Sequence, residues 1–377
     1  MRFSPQYLFR LALCAAIPAL SGCGNFFVYP GTGGGSGSGS TTSYAYVANA
    51  TTTNLAAFAL NSGKLVSVSG SPYSLGISPT SLVVTPANTY LYVGTAVALY
   101  GFSINTTTGQ LTALNSGQAL ASVNVVSLDV SPDGNWLLAL DASGVTVDEY
   151  AINTSTGLLN AATGATYSIT GNGVSAPRAI KFAPSGAFVF AALGTGGDAV
   201  FNFNTSTGAL TYNTSLAGST TSSDNALTVD STSTHLYIAR SGTGAGVTAY
   251  TISSNGALNS VSGSPFAAGG GPYSVVIDAT GDYLYAGNRT DGTISGYTIA
   301  TSGALTPISG SPFASGVNVN SLGRDSLGKY IVAASLGGSS DLTMYSFDAT
   351  TAGKLNVAST ATTGTDPTGA IAVAMTH

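Results

Sequence analysis

Apolar and polar positions alternate with a period of two in short runs along most of the chain, and each run stops at a turn signal. The pattern is clearest in 283–329, Y-L-Y-A-G-N-R-T-D-G-T-I-S-G-Y-T-I-A-T-S-G-A-L-T-P-I-S-G-S-P-F, continuing to D-S-L-G-K. Three apolar runs are separated by Asp291-Gly292, Ser302-Gly303 and Gly310-Ser311-Pro312-Phe313, and a fourth lies around Asn320–Arg324. Alternation at this spacing predicts four strands joined by tight turns. Helix caps are missing, and Gly, Ser and Thr are poor helix formers. One such unit cannot bury both faces of its sheet, so it needs neighbours of its own kind.

Units with the same order begin at Tyr44, Tyr90, Trp136, Phe188, His235, Tyr283 and Tyr330, spaced 46 to 52 residues apart. Four strands in a period of that length predict an all-β fold, a seven-bladed propeller, rather than a helical solenoid. The innermost strands are expected to begin at Pro79, Val125, Pro177, Asn225, Pro272, Val319 and Pro367. Tyr44 opens on a second strand, so the first blade lacks its innermost one. The stretch from Pro367 to Ala374 matches an innermost strand and is expected to complete that blade, closing the ring without an open edge.

Aligned innermost strands give a column of small residues: Ser81, Ser127, Ala179, Ala226, Ser274, Ser321 and Gly369. It predicts close approach of seven strands around a narrow channel. The preceding column, Thr80, Val126, Arg178, Asn225, Tyr273, Asn320 and Thr368, is varied and mostly polar, as expected at a channel mouth. Loops on that face are where a propeller usually binds. Segments such as Asn105–Gly109, Asn153–Gly157 and Asn204–Gly208 are turn chemistry, with glycine supplying a positive φ. Gly-Ser-Pro-aromatic segments at Gly70–Tyr73, Gly263–Phe266 and Gly310–Phe313 read as architecture, the proline ending an outer strand.

Upstream of the repeats, residues 1–22 read as a targeting segment, with Arg2 and Arg10 flanking the short apolar core Leu11–Leu20. Leu20-Ser21-Gly22-Cys23 resembles a bacterial lipobox, which implies cleavage before Cys23 and its diacylation; an ordinary signal peptide is the alternative. Residues 23–43 form a tether, and its Gly/Ser-rich part, 31–43, spans about 20 Å on average as a coil. Residues 44–377 are then a propeller held just off a membrane of the cell envelope, most simply at the outer membrane, on its periplasmic or surface side. A monomer is expected.

Charge narrows the partners. Lys and Arg number 10 against 15 Asp and Glu, for a net charge of −5, and only 7% of residues are charged. Nucleic-acid binding needs clustered positive charge and is excluded. Glu149 is the single glutamate, and the histidines are His235 and His377. His235 takes an aromatic slot that opens a second strand, as does the lone tryptophan, Trp136, so both are expected to pack. His377 is terminal and expected to be mobile. Asp129, Asp230, Asp278 and Asp325 recur near innermost strands and read as turn or blade hydrogen-bonding groups. No His/Cys/Asp spacing suggests a metal, no cofactor is implied, and a nucleophile elbow is missing.

Tyr-Leu-Tyr-Val openings, Thr-Gly-x-Leu turns and a Ser-Pro-Asp-Gly turn together resemble the bacterial seven-bladed lactonase-type propellers, the 6-phosphogluconolactonase-like group. Pro177-Arg178-Ala179-Ile180-Lys181-Phe182-Ala183-Pro184 is similar to the family's Pro-Arg-His-x-x-Phe-His-Pro, and Tyr285-Ala286-Gly287-Asn288-Arg289 to its Tyr-x-x-Asn-Arg. The resemblance implies that Arg178 and Arg289 face a cleft. It also shows what is gone: the two family histidines fall on Ala179 and Ala183, and the Asn-Glu pair of a later motif on Leu193 and Gly194. Lactone opening needs a base or a polarising metal to activate water, and an arginine cannot be that base.

One cluster remains. Arg178, Arg240 and Arg289 are expected on one face, with Tyr273, Asn320, Asp198 and Asp291 from neighbouring strands and loops. Three arginines on a nearly uncharged surface form a shallow anion site; the alternative pairs each with a nearby aspartate, Arg289 with Asp291. Two functional classes follow. A lipid-anchored binding module for a carbohydrate, lactone, peptide or envelope protein is favoured by the lack of a proton-handling group. A lactonase or related hydrolase with a rearranged site is the other.

Overall fold

The computed structural model describes residues 42–142, 146–161, 165–166, 176–338, 340–363 and 369–377. The expected signal segment, Cys23, all but the end of the tether, and Pro367-Thr368 lie outside them. The described chain forms seven antiparallel sheets, each built on four strands. Among the described residues the one helical element is a 3-10 turn, Asn115–Gly117. The second strands open where the repeat predicts: Tyr90–Thr95, Trp136–Asp141, Phe188–Ala192, His235–Gly242, Tyr283–Asn288 and Tyr330–Ser335, with Ser43–Asn49 starting one residue before Tyr44.

Innermost strands contact one another in sequence order around the ring, and Ala370–Met375 contacts the innermost strand of blade 2 to close it. Ala370–Met375 also pairs antiparallel with Ser43–Asn49, so the C-terminal strand completes the N-terminal blade. Two starts differ from expectation. The innermost strand of blade 4 is Ala179–Phe182 and that of blade 5 is Ser222–Val229. In blade 5 the strand reaches back past Asn225 because Asp224 already pairs with Arg240.

Register explains the two residue columns. In blades 2, 3, 5, 6 and 7 the pairing skips one residue near the start of the innermost strand, leaving Thr80, Val126, Asn225, Tyr273 and Asn320 as bulges. In blade 1 the skipped residue is Ile371, not Thr368. The small column therefore ends on Ala372 rather than Gly369. Its serines do more than leave room. Ser81, Ser127 and Ser321 accept at Oγ from the next blade's backbone, Leu128 N–H at 3.0 Å, Ile180 N–H at 3.2 Å and Val373 N–H at 3.2 Å. Asp129, which sits within its strand rather than at a turn, likewise reaches the next blade, accepting Phe182 N–H and Lys181 Nζ. Edge donors that a sheet leaves unpaired are thereby satisfied. Asp230, Asp278 and Asp325 are turn residues, as expected, each accepting nearby backbone N–H groups.

Blades join through one recurring device. In six joints the aromatic that opens the second strand lies on the glycine of the next blade's outer turn: Tyr44 on Gly109, Tyr90 on Gly157, Trp136 on Gly208, Phe188 on Gly256, His235 on Gly303 and Tyr283 on Gly353. A Cβ at any of these glycines would lie under 3.0 Å from the ring, so only glycine fits. In four joints a buried tyrosine two residues on also donates to that glycine's carbonyl: Tyr46, Tyr92, Tyr237 and Tyr285, at 2.6–3.1 Å. His235 is thus a packed ring, with its Nδ1 2.9 Å from Asp230. His377 is held, exchanging two backbone bonds of 2.7 Å with the Asn88 side chain.

Candidate functional site

Innermost strands start, and second strands end, at one face of the ring. Arg178, Tyr273 and Asn320 stand there near the starts of innermost strands in blades 4, 6 and 7, as expected for a channel mouth. Arg178 is exposed and makes no ion pair with any described residue. Asn320 is buried, and its Oδ1 finds no donor.

Arg289 comes to this face by a chain of local constraints. Asn288, fully buried at the end of its strand, donates to Ser295 Oγ at 2.9 Å and Thr293 Oγ1 at 3.0 Å, fixing the turn that follows. Arg289 N–H then donates to Gly271 O at 2.9 Å, one residue before Pro272-Tyr273. The guanidinium is laid over the Tyr273 ring, 4.5 Å from its centroid. A cation held over a phenol ring gains about 0.5–2 kcal/mol, depending on how dry the site is. Asp291 does not neutralise it. That carboxylate instead accepts the Gly270 N–H and stays exposed.

Arg240 has a different fate. Its Nε and Nη2 make a two-pronged pair with Asp224 at 2.6 and 2.7 Å, and its side chain is 24% exposed. It is not available as a free anion clamp. Asp198, expected in a loop or at a strand entrance, is the first residue of the strand Asp198–Phe203 and is 2% exposed; Asp224 is 4% exposed. Neither Asp198 oxygen has a hydrogen-bond donor. Burial, and the Asp224 carboxylate facing it, push the Asp198 carboxyl well above the usual carboxylate range. Two buried carboxylates side by side disfavour a second negative charge, and the one guanidinium there is paired with Asp224.

The seven residues anticipated on this face therefore fall into two groups and two singletons. Arg289 meets Tyr273 in blade 6, where Asp291 accepts the Gly270 N–H, and Arg240 lies near Asp198 at the joint of blades 4 and 5. Arg178 and Asn320 stand apart at the mouth. Asp224 was not anticipated, yet a column comparison carries its signal. It holds the register position, just before the bulge, at which Pro79, Val125, Pro272 and Val319 open their innermost strands. Asp198 stands in a column otherwise made of Leu55, Leu99, Val147, Val247, Ile294 and Leu342. Two surface depressions, of 260 and 360 Å³, lie on the opposite face.

Residues 194–367 match the profile of a family described as lactonase, 7-bladed beta-propeller. The match takes in Asp198, Asp224, Arg240, Tyr273, Arg289 and Asn320 and begins after Arg178. Beside the seven-blade fold, residues 194–367 are thus similar to the lactonase-type seven-bladed propellers. Among solved structures, a candidate 6-phosphogluconolactonase from Bacteroides uniformis is 19% identical with a TM-score of 0.71, covering 89% of this chain and 99% of its own. Another from Bacteroides fragilis is 18% identical with a TM-score of 0.73, covering 90% and 99%. A periplasmic gluconolactonase from Pseudomonas aeruginosa is 14% identical with a TM-score of 0.70, covering 89% and 99%. At these identities the likeness is one of fold. No curated protein matches the chain.

Proposed function

We propose that this lactonase-like propeller is an exported, lipid-anchored binding module, tethered through Cys23, whose channel mouth takes an anionic, polyhydroxylated ligand such as a sugar acid. Arg289 carries the reading: it is fixed by its backbone, stacked on Tyr273, and makes no ion pair with any described carboxylate. An unpaired guanidinium beside an aromatic ring suits a ligand with a carboxylate and a sugar ring, the first bound by two parallel hydrogen bonds and the second by stacking. Arg178 adds a second unpaired cation at the same mouth. The gluconolactonase and 6-phosphogluconolactonase names of the structural neighbours agree in ligand class.

Lactone hydrolysis is the second reading, favoured by the Asp198–Asp224 pair, which can both hold and accept a proton. Its near-complete burial keeps water and substrate from it, which is why binding is preferred. Calorimetry with gluconate, alongside hydrolysis of glucono-δ-lactone, separates the two. Binding without turnover is expected, weakened at least about tenfold by Arg289→Ala through loss of a charge-assisted hydrogen bond. No binding, or binding indifferent to Arg289→Ala and Arg178→Ala together, would overturn the reading. Turnover lost in Asp224→Asn would replace it with the second.

A further inference from the structure

Three residues that break the repeat meet at one point, the joint of blades 4 and 5. We infer that this joint is a proton-operated clasp: closed while Asp198 donates a shared proton to Asp224, and released when that proton leaves. Asp224 is already used on both its oxygens by Arg240, at 2.6 and 2.7 Å. One guanidinium neutralises one carboxylate. Asp198 lies 98% buried behind them with no donor on either oxygen, in a core column where the other six blades carry aliphatic side chains. The titratable and charged groups acting on it are Asp224, from the innermost strand of blade 5, and Arg240, from its second. Tyr250, from the third strand of that blade, lies near the cluster, and burial pushes its phenol up, so it stays neutral. Nothing in that set answers a second negative charge. An ionised Asp198 is relieved only by parting the blades and admitting water.

The backbone ties the two blades at this place by one pair of bonds. Gly194 and Asp224 exchange two bonds, Gly194 N–H to Asp224 O at 3.1 Å and Asp224 N–H to Gly194 O at 3.2 Å. Of the isolated bridges among the described residues, this one alone joins two blades. The loop before Asp198 is Gly194-Thr195-Gly196-Gly197, with φ of +61° at Gly194 and +93° at Gly197. Other joints carry no carboxyl at the Asp198 level and have no such release.

Hydrogen exchange of the full chain, read on the Gly194 and Asp224 amides and corrected for the intrinsic pH dependence of exchange, tests the clasp. One proton released on opening makes their protection fall by about tenfold per pH unit. That fall begins above the ordinary Asp range and continues until the raised value for Asp198 is passed. In Asp198→Asn, whose amide donates to Asp224 without titrating, protection is expected to stay high and flat. Carbon-13 titration of the Asp198 carboxyl in the wild-type chain is a second readout that needs no variant. Flat protection in the wild type, a slope that survives in Asp198→Asn, or an Asp198 carboxyl titrating in the ordinary Asp range would each overturn the inference.

Discussion

Six joints of this ring are sealed alike, and the seventh, between blades 7 and 1, is not. At the seam Tyr330 opens its second strand like its counterparts, but a Cβ at Gly63, the matching turn glycine, would meet nothing within 4 Å. Val332 stands where four blades have a clamping tyrosine, and a 260 Å³ depression lined by Tyr330, Asn61 and Asp325 occupies the place. The seam is held by other means. The two ends of the chain pair along Ser43–Asn49 and Ala370–Met375 within blade 1. A buried polar knot crosses from blade 1 to blade 7: Asn49 Nδ2 donates to Thr363 O at 2.8 Å, and the Thr363 hydroxyl lies 2.6 Å from both Asn49 Oδ1 and Asp341 Oδ2. Side-chain stacking, repeated by sequence repetition, joins blades that are covalently consecutive. Backbone pairing has to close the ring where covalent continuity ends.

Removing residues 369–377 should therefore have the largest effect. It strips the pairing from a strand whose seven residues are all buried, and the loss approaches the whole stability of about 5–15 kcal/mol expected of such a domain. Insoluble or protease-sensitive protein is the expected outcome, read by limited proteolysis and a thermal melt. A soluble monomer with an unchanged Tm would show that the six stacked joints hold the ring without closure.

A smaller and cleaner contrast sets Gly208→Ala against Gly63→Ala. Both glycines sit at similar positive φ, +75° and +79°, so each substitution costs about 1–2 kcal/mol for the backbone alone. Only Gly208 has an aromatic ring, that of Trp136, where the new Cβ would go. Displacing it adds about 1–3 kcal/mol. Equal losses in urea unfolding would mean that the stack fills space without sealing the joint.

The joints also show how much was legible in advance. Strand number, blade number, blade starts and ring closure followed from a period-two pattern recurring at 46 to 52 residues, because turn glycines and strand aromatics are local in sequence. The small column was legible too, except at blade 1, where Gly369 fitted the composition and Ala372 the register. A one-residue bulge moves register without leaving a mark in residue type. Of the candidate site, the placement of Arg178 and Arg289 on one face was readable from strand order. The partners were not: Arg289 has an aspartate two residues away and stacks instead on Tyr273, while Arg240 is held by Asp224 from another strand. Side-chain pairing across strands depends on register and burial together, and neither is written in spacing alone.

Joint 3/4 offers the finest test, because there the tyrosine clamp is replaced by a titrating group. Leu138 stands at the tyrosine position, and Glu149, opposite it on the third strand, accepts the Leu210 N–H of blade 4 at 3.0 Å. Glu149 is 3% exposed. Burial raises its carboxyl from 4.5 to about 7, the Leu210 hydrogen bond opposing. The folded protein then keeps this proton to a higher pH than the unfolded chain does. The associated stability is fully present below pH 4.5 and is lost as pH rises through about 7. The loss is on the order of 3 kcal/mol. Glu149→Gln keeps an acceptor for Leu210 and removes the titration, so the difference in unfolding free energy between variant and wild type should shift in the variant's favour between pH 4 and pH 8. A tyrosine-clamped joint has no such dependence, since burial pushes the Tyr92 and Tyr285 phenols further from neutrality. A pH-independent difference would place Glu149 with the tyrosines, as an ordinary fixed hydrogen-bonding group.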